Sequence, residues 1–167
     1  VNSAWAAYNF RSNLASSFES LGHKVTFIVP FDGEYSDKLK KNFKCKNYYL
    51  NAGWLNPFQD IKTLLSLINV FKSLKPDIIC NFTIKPNIYG SIAAKINTIP
   101  SICNITGLGT VFIRRNIFTL FVGLLYRVAL SFSNLVYFQN IQDQDFFVRN
   151  KFIKQAKTQL LPGSGVD

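Results

Sequence analysis

Three short stretches carry residues that could do chemistry. In residues 2–11, NSAWAAYNFR, Trp5 and Tyr8 offer flat faces for a sugar ring, and Asn9 offers hydrogen bonds to hydroxyls. The stretch holds no glycine, so it departs from a glycine-rich phosphate loop, and plain packing of Trp5 and Tyr8 is the alternative. In residues 83–87, TIKPN, Lys85 could meet a phosphate; its other reading is a solvated surface lysine. In residues 106–109, TGLG, Gly107 and Gly109 could serve a tight turn or let a substrate approach the backbone closely. The third glycine of a dinucleotide fingerprint is missing, which argues against cofactor binding there.

The last two stretches sit where an open α/β sheet binds ligands. Residues 78–82 form an apolar run after the Lys75-Pro76 break, the pattern of a strand buried on both faces. Asn87 is placed to cap a following helix, with Ile88, Ile92, Ala93 and Ile96 at helical spacing, and Pro100 introduces a second strand over 101–105. Loops 83–87 and 106–109 then lie at the carboxyl ends of neighbouring parallel strands. Residues 1–5 read as a strand end running into a loop. Helices are expected over 8–21, 36–42, 57–74, 116–132 and 142–151, with strands over 24–30, 47–50, 135–139 and 159–161. Such alternation defines an α/β chain with a doubly wound, mostly parallel sheet. The three polar stretches should converge on one edge of it.

At 167 residues, 48% of them hydrophobic, the chain is one folded domain with a proper core. A formal charge of +10 favours anionic partners or reflects a solvated lysine-rich surface. No RNA-binding, zinc-finger or helix-turn-helix signature accompanies it, so nucleic acid is not the expected partner. Cys45, Cys80 and Cys103 lack metal spacing, His23 is the only histidine, and the odd cysteine count suits a reducing compartment. Cys80 and Cys103 read as core residues. No metal is expected, and no acid–base or nucleophilic set stands out, so catalytic residues stay unassigned. The apolar helix over 116–132 has Arg127 near its middle, where a bilayer would exact about 2.5–3.5 kcal/mol, and its uninterrupted part is too short to span roughly 30 Å. Partial burial with peripheral membrane contact through Phe118, Phe121, Leu125 and Phe132, with Arg114 and Arg115 meeting anionic headgroups, is the expectation.

The motifs TIKPNIYG (83–90) and TGLGTVF (106–112), with NSAW (2–5), YNFR (8–11) and the closing LPGSGVD (161–167), also occur in a familiar order. Together they resemble a branch of the family-four retaining glycosyltransferases, which build bacterial capsule, O-antigen (lipopolysaccharide) and glycan precursors. The resemblance implies a GT-B enzyme of which residues 1–162 form the Rossmann-like N-terminal, acceptor-side domain, lacking its first strand. Residues 163–167 would begin a linker to a C-terminal donor-binding domain that carries the paired glutamates. The whole enzyme would move a hexose or N-acetylhexosamine from a nucleotide-sugar, UDP-linked, to a lipid-linked glycan acceptor. It would do so with retention and without cofactor or metal, in the cytoplasm at the inner face of the plasma membrane, on an anionic membrane surface. The fragment alone would be inactive. The substrate-binding residues implied are Trp5, Tyr8, Asn9, Arg11, Lys85, Asn87, Tyr89, Thr106, Gly107 and Gly109. Outside the resemblance, the residues also allow a non-catalytic α/β module that binds a phosphorylated or nucleotide ligand, or a basic membrane-surface or RNA-binding domain.

Overall fold

A computed structural model of the chain describes residues 1–51, 53, 56–108, 112, 117–161 and 163, the side chains of 117 and 118 excepted. Its elements in chain order are α1 (Ala4–Ser20), β1 (Thr26–Val29), α2 (Glu34–Asn42), β2 (Lys44–Asn47), α3 (Pro57–Leu74), β3 (Ile79–Phe82), a π-helical turn (Pro86–Gly90), α4 (Ser91–Ile96), β4 (Ser101–Ile105), α5 (Ile117–Phe132), β5 (Leu135–Phe138), α6 (Ile141–Arg149) and β6 (Thr158–Leu160). Among the described residues every strand pair is parallel: β1 with β2, and β3-β4-β5-β6 in that order. Val1 is tied to β1 and to the segment after β2, its nitrogen 3.3 Å from the Ile28 carbonyl and its own carbonyl accepting from the Tyr48 hydroxyl.

Register explains which faces are covered. Asn81, Cys103 and Val136 are aligned across the larger sheet, as are Ile105 and Phe138, so these side chains share one face. Cys103, Ile105, Val136 and Phe138 join a single core cluster with Leu67 and Phe71 of α3, Ala93 and Ala94 of α4, Tyr126 and Leu130 of α5, and Phe147 of α6. Four helices therefore lie on that face. The expectation that 78–82 is buried on both sides fails for this reason: Cys80 faces outward and is exposed, while Cys103 is wholly buried. A smaller core pairs Ala4, Ala7 and Ala15 of α1 with Phe27, Val29 and Leu39. At the outer edge of the smaller sheet, β2 presents exposed Lys44 and Lys46, which discourage a further strand from pairing there.

Helix ends follow local chemistry. Ser3 caps α1 by accepting from the Ala6 amide. Asn56 caps α3 ahead of Pro57, and Gly22 at φ +86° lets the chain leave α1. Three expectations shift. The first helix starts at Ala4, so Trp5, Tyr8, Asn9 and Arg11 are helical residues and not loop residues. The second strand is 44–47, earlier than 47–50. Asn87 does not cap a helix; it is 1% exposed inside the π-helical turn, its Nδ2 donating to the Asn104 carbonyl at 2.9 Å. That turn packs tightly, since a Cβ added to Gly90 would lie 2.2 Å from Asn81 Oδ1.

Candidate functional site

The carboxyl ends of the strands frame a cleft of about 180 Å³. Its walls are Val1, Ala6, Phe10 and Arg11 at the start of α1, Phe82 and Thr83 at the end of β3, and Thr106 after β4. The three stretches that the sequence singles out do meet at one edge. The helix start is placed there by the Ser3 cap and by Asp32, which accepts from the Ala4 amide at 3.3 Å.

Arg11 supplies the cleft's cation. It is 7% exposed, its guanidinium carbon stands 4.4 Å from the Phe82 ring centroid, and Nη1 donates to the Phe10 carbonyl at 2.9 Å. Burial lowers its pKa from the ordinary value, yet a guanidinium stays charged at neutral pH. Across from it, Thr83 holds φ +73°, a left-handed conformation that costs a β-branched residue on the order of 1–3 kcal/mol. Its Oγ1 is buried and, among the described residues, has no hydrogen-bond partner. Next to Thr106, Gly107 adopts φ +151° with open space where a Cβ would stand, so this backbone can be approached closely. A stacked guanidinium, a spare hydroxyl and open backbone suit an anionic or hydroxyl-rich ligand.

The remaining expected residues divide sharply. Trp5 is half-exposed and meets Phe10 edge-on at 5.3 Å, behind the cleft wall. Tyr8 packs against Tyr35 of α2, and Asn9 donates to the Trp5 carbonyl at 2.9 Å. None of these three lines the cleft. Lys85 is neither solvated nor turned to the cleft. Its Nζ lies 2.7 Å from Asp60 Oδ1 and 2.7 Å from the Asn51 carbonyl, with the two side chains only 13% and 6% exposed. Asp60 Oδ2 accepts the Asn56 amide, and burial together with the Asp60 charge raises the Tyr89 phenol above its ordinary pKa. Lys85 and Tyr89 thus belong to a buried clasp that ties the first turn of α3 to the end of β3. Gly109 lies outside the described residues. The cleft residues that sequence reasoning missed are Val1, Ala6, Phe10, Phe82 and Thr83. Thr83 stood inside the quoted motif, but its positive φ leaves no mark on residue type.

A parallel α/β domain with a cleft at its strand ends is of the Rossmann-like kind, and known structures sharpen this to the GT-B glycosyltransferase fold. MurG from Acinetobacter baumannii superposes with a TM-score of 0.66 at 14% identity, over 100% of this chain and 45% of that one. HepE from Anabaena, in a crystal with UDP and glucose, superposes with a TM-score of 0.65 at 15% identity, over 93% of this chain and 40% of that one. At such identities the likeness is one of fold. The family follows from sequence: a family model described as glycosyl transferase 4-like matches residues 3–140, and the chain belongs to that family. It is also 30% identical over 166 residues to the N,N'-diacetylbacillosaminyl-diphospho-undecaprenol alpha-1,3-N-acetylgalactosaminyltransferase of Campylobacter jejuni. That match covers 96% of this chain and 44% of the relative, so the chain spans less than half the relative's length.

Proposed function

We propose that this chain is the acceptor-side half of a retaining glycosyltransferase that moves a sugar from a UDP-sugar to a lipid-linked glycan. The observation that carries the reading is the convergence of Arg11, Thr83 and Thr106 on one cleft at the strand ends. The family membership and the Campylobacter relative, named as a transferase acting on a diphospho-undecaprenol-linked sugar, support it. In this reading Arg11 holds a phosphate or diphosphate oxygen, and the Thr83 and Thr106 hydroxyls hold the sugar or the same anion. The open backbone at Gly107 lets the ligand sit close. In this reading the nucleotide-sugar is gripped mainly by a second domain beyond residue 162. Lys85, Asn87 and Tyr89 serve the site by shaping its wall. The transfer takes place in the cytoplasm, at a membrane that supplies the acceptor.

The test is transfer by the full-length protein. With a panel of UDP-sugars and a polyprenyl-diphosphate-linked glycan, one donor should give product, and Arg11→Lys should cut kcat/KM by about tenfold or more in protein shown by circular dichroism to be folded at the assay temperature. The lysine keeps the charge but loses the planar fork and its stack on Phe82. Turnover by the 167-residue chain alone, or an Arg11→Lys protein as active as the parent, would contradict the assignment.

A further inference from the structure

Buried side-chain oxygens of Ser36, Thr83, Asn87, Ser101 and Asn104 have no hydrogen-bond partner among the described residues. A buried acceptor without a donor destabilises the fold, so each calls for a cause. Ser36 belongs to α2, Ser101 to the amino end of β4, and Asn87 to the π-helical turn. Thr83 and Asn104 flank a single side chain, Phe82. Thr83 follows it in the chain, and Asn104 is its register partner on β4. Phe82 lines the cleft, and on its ring stacks the Arg11 guanidinium.

Asn104 is 8% exposed and stands on the sheet face opposite the four helices. Strand alternation fixes that face, since Cys103 and Ile105 on either side of it both enter the core. Two residues further on, Thr106 lines the cleft. The next strand places Tyr137, half-buried, beside Asn104, and Cys80 on the same face is exposed. The backbone here is pinned, because the Asn104 carbonyl accepts from Asn87 Nδ2 at 2.9 Å.

The hydrogen-bond inventory gives the cleft a direction. Arg11 can only donate, which suits phosphate oxygens. The Asn104 amide oxygen can only accept, and an ionised diphosphate has no proton to give it. A sugar hydroxyl or an acetamido N–H has one. We infer that Asn104 is a further specificity-determining residue, which accepts a hydrogen bond from the first sugar of the acceptor while Arg11 holds the diphosphate attached to it. The sugar lies towards β4 and the diphosphate towards the start of α1, with Phe82 between them. The Thr83 hydroxyl, which both donates and accepts, serves the junction. This assignment rests on the proposed function for the class of ligand and goes beyond it by orienting that ligand.

The test uses the full-length protein and a short-chain prenyl-diphosphate-linked N-acetylhexosamine, with analogues lacking each hydroxyl or the acetamido group in turn. Binding is read by calorimetry without any UDP-sugar. Asn104→Leu should weaken binding of the complete ligand by about tenfold. Its urea midpoint should equal or exceed the parent's, because an unpaired buried acceptor has been removed. One analogue should bind the parent about tenfold more weakly, yet bind Asn104→Leu as well as the complete ligand does. A merely structural residue does not produce that coupling. Asn104→Asp keeps an accepting oxygen in place and should still discriminate against the same analogue, which carries the test should the leucine variant not fold. In transfer assays KM for the acceptor should rise in Asn104→Leu while KM for the UDP-sugar stays unchanged. Equal binding by the parent and Asn104→Leu, or weaker binding with no analogue coupled to position 104, would overturn the inference and leave Asn104 a structural amide satisfied by water. Sugar transfer without that coupling would keep the proposed function and remove Asn104 from it. Coupled binding by a protein that transfers nothing would uphold Asn104 and sink the transfer reading, and a parent that does not bind the complete ligand would sink both.

Discussion

Replacing Lys85 tests the most consequential reassignment. A solvated lysine contributes little to stability, so Lys85→Met would be silent if the residue waited in water for a phosphate. Here its ammonium is 2.7 Å from a carboxylate that is itself almost fully buried. Methionine fills similar space but leaves Asp60 with the Asn56 amide at 3.1 Å and the neighbouring Tyr89, and leaves the Asn51 carbonyl without its donor. Breaking one side of a buried ion pair costs about 3–5 kcal/mol, a large part of the roughly 5–15 kcal/mol that holds a domain folded. With a urea slope of about 2 kcal/mol/M, the midpoint should fall by roughly 1.5–2.5 M. Adding Asp60→Asn removes the stranded charge while keeping a polar group near the Asn56 amide, and should recover more than half of the loss. Urea unfolding followed by tryptophan fluorescence and circular dichroism measures all three proteins. A Lys85→Met loss within about 0.5 kcal/mol of zero would refute the clasp and return Lys85 to solvent or to a ligand.

Other consequences are as concrete. Gly90→Ala should destabilise by about 1–3 kcal/mol, because its methyl would stand 2.2 Å from the buried Asn81 side chain; a neutral result in the same urea assay would contradict that packing. Burial holds the Tyr126 phenol above its ordinary pKa, and Tyr48 and Tyr89 are raised chiefly by burial too. The unfolded chain therefore releases these protons first, so their contribution is intact below pH of about 10 and is lost as pH rises beyond it, which urea midpoints across that range would register. Cys103 is fully buried and its thiol is pushed up by burial, so iodoacetamide should spare it in the native protein and label it after unfolding. Early labelling of Cys103 would mean that the α4–β4 layer opens readily.

Periodicity and breaks made the architecture legible. Pro57, Pro76 and Pro100, together with the apolar rows of α3 and α5, mark elements whose observed bounds fall within a residue or two of expectation. The first helix was misjudged because the three alanines and a tryptophan after Ser3 carry no apolar stripe, while the capping hydroxyl of Ser3 gave the true start. The site was legible only as a neighbourhood. Strand topology brings residues 2–11, 83–87 and 106–109 together whatever their side chains do, but which of them face the cleft depends on helical phase. Residues 6, 10 and 11 face in, while 5, 8 and 9 are turned away. Nothing in the spacing of Asp60 and Lys85, 25 residues apart, announces an ion pair. Exposure on α5 was equally hidden, since an almost wholly apolar helix does not reveal which stripe the sheet takes.

The central claim is that the cleft serves sugar transfer to a diphosphate-linked acceptor. A single assay puts it most directly: the full-length protein, a UDP-sugar and a polyprenyl-diphosphate-linked glycan, with the anomeric configuration of the product read by NMR and the Arg11→Lys protein run alongside. The account predicts product with the donor's configuration retained and a loss of about tenfold or more in kcat/KM for Arg11→Lys. Absence of transfer from every UDP-sugar by a folded protein, or an Arg11→Lys rate equal to the parent's, would contradict it.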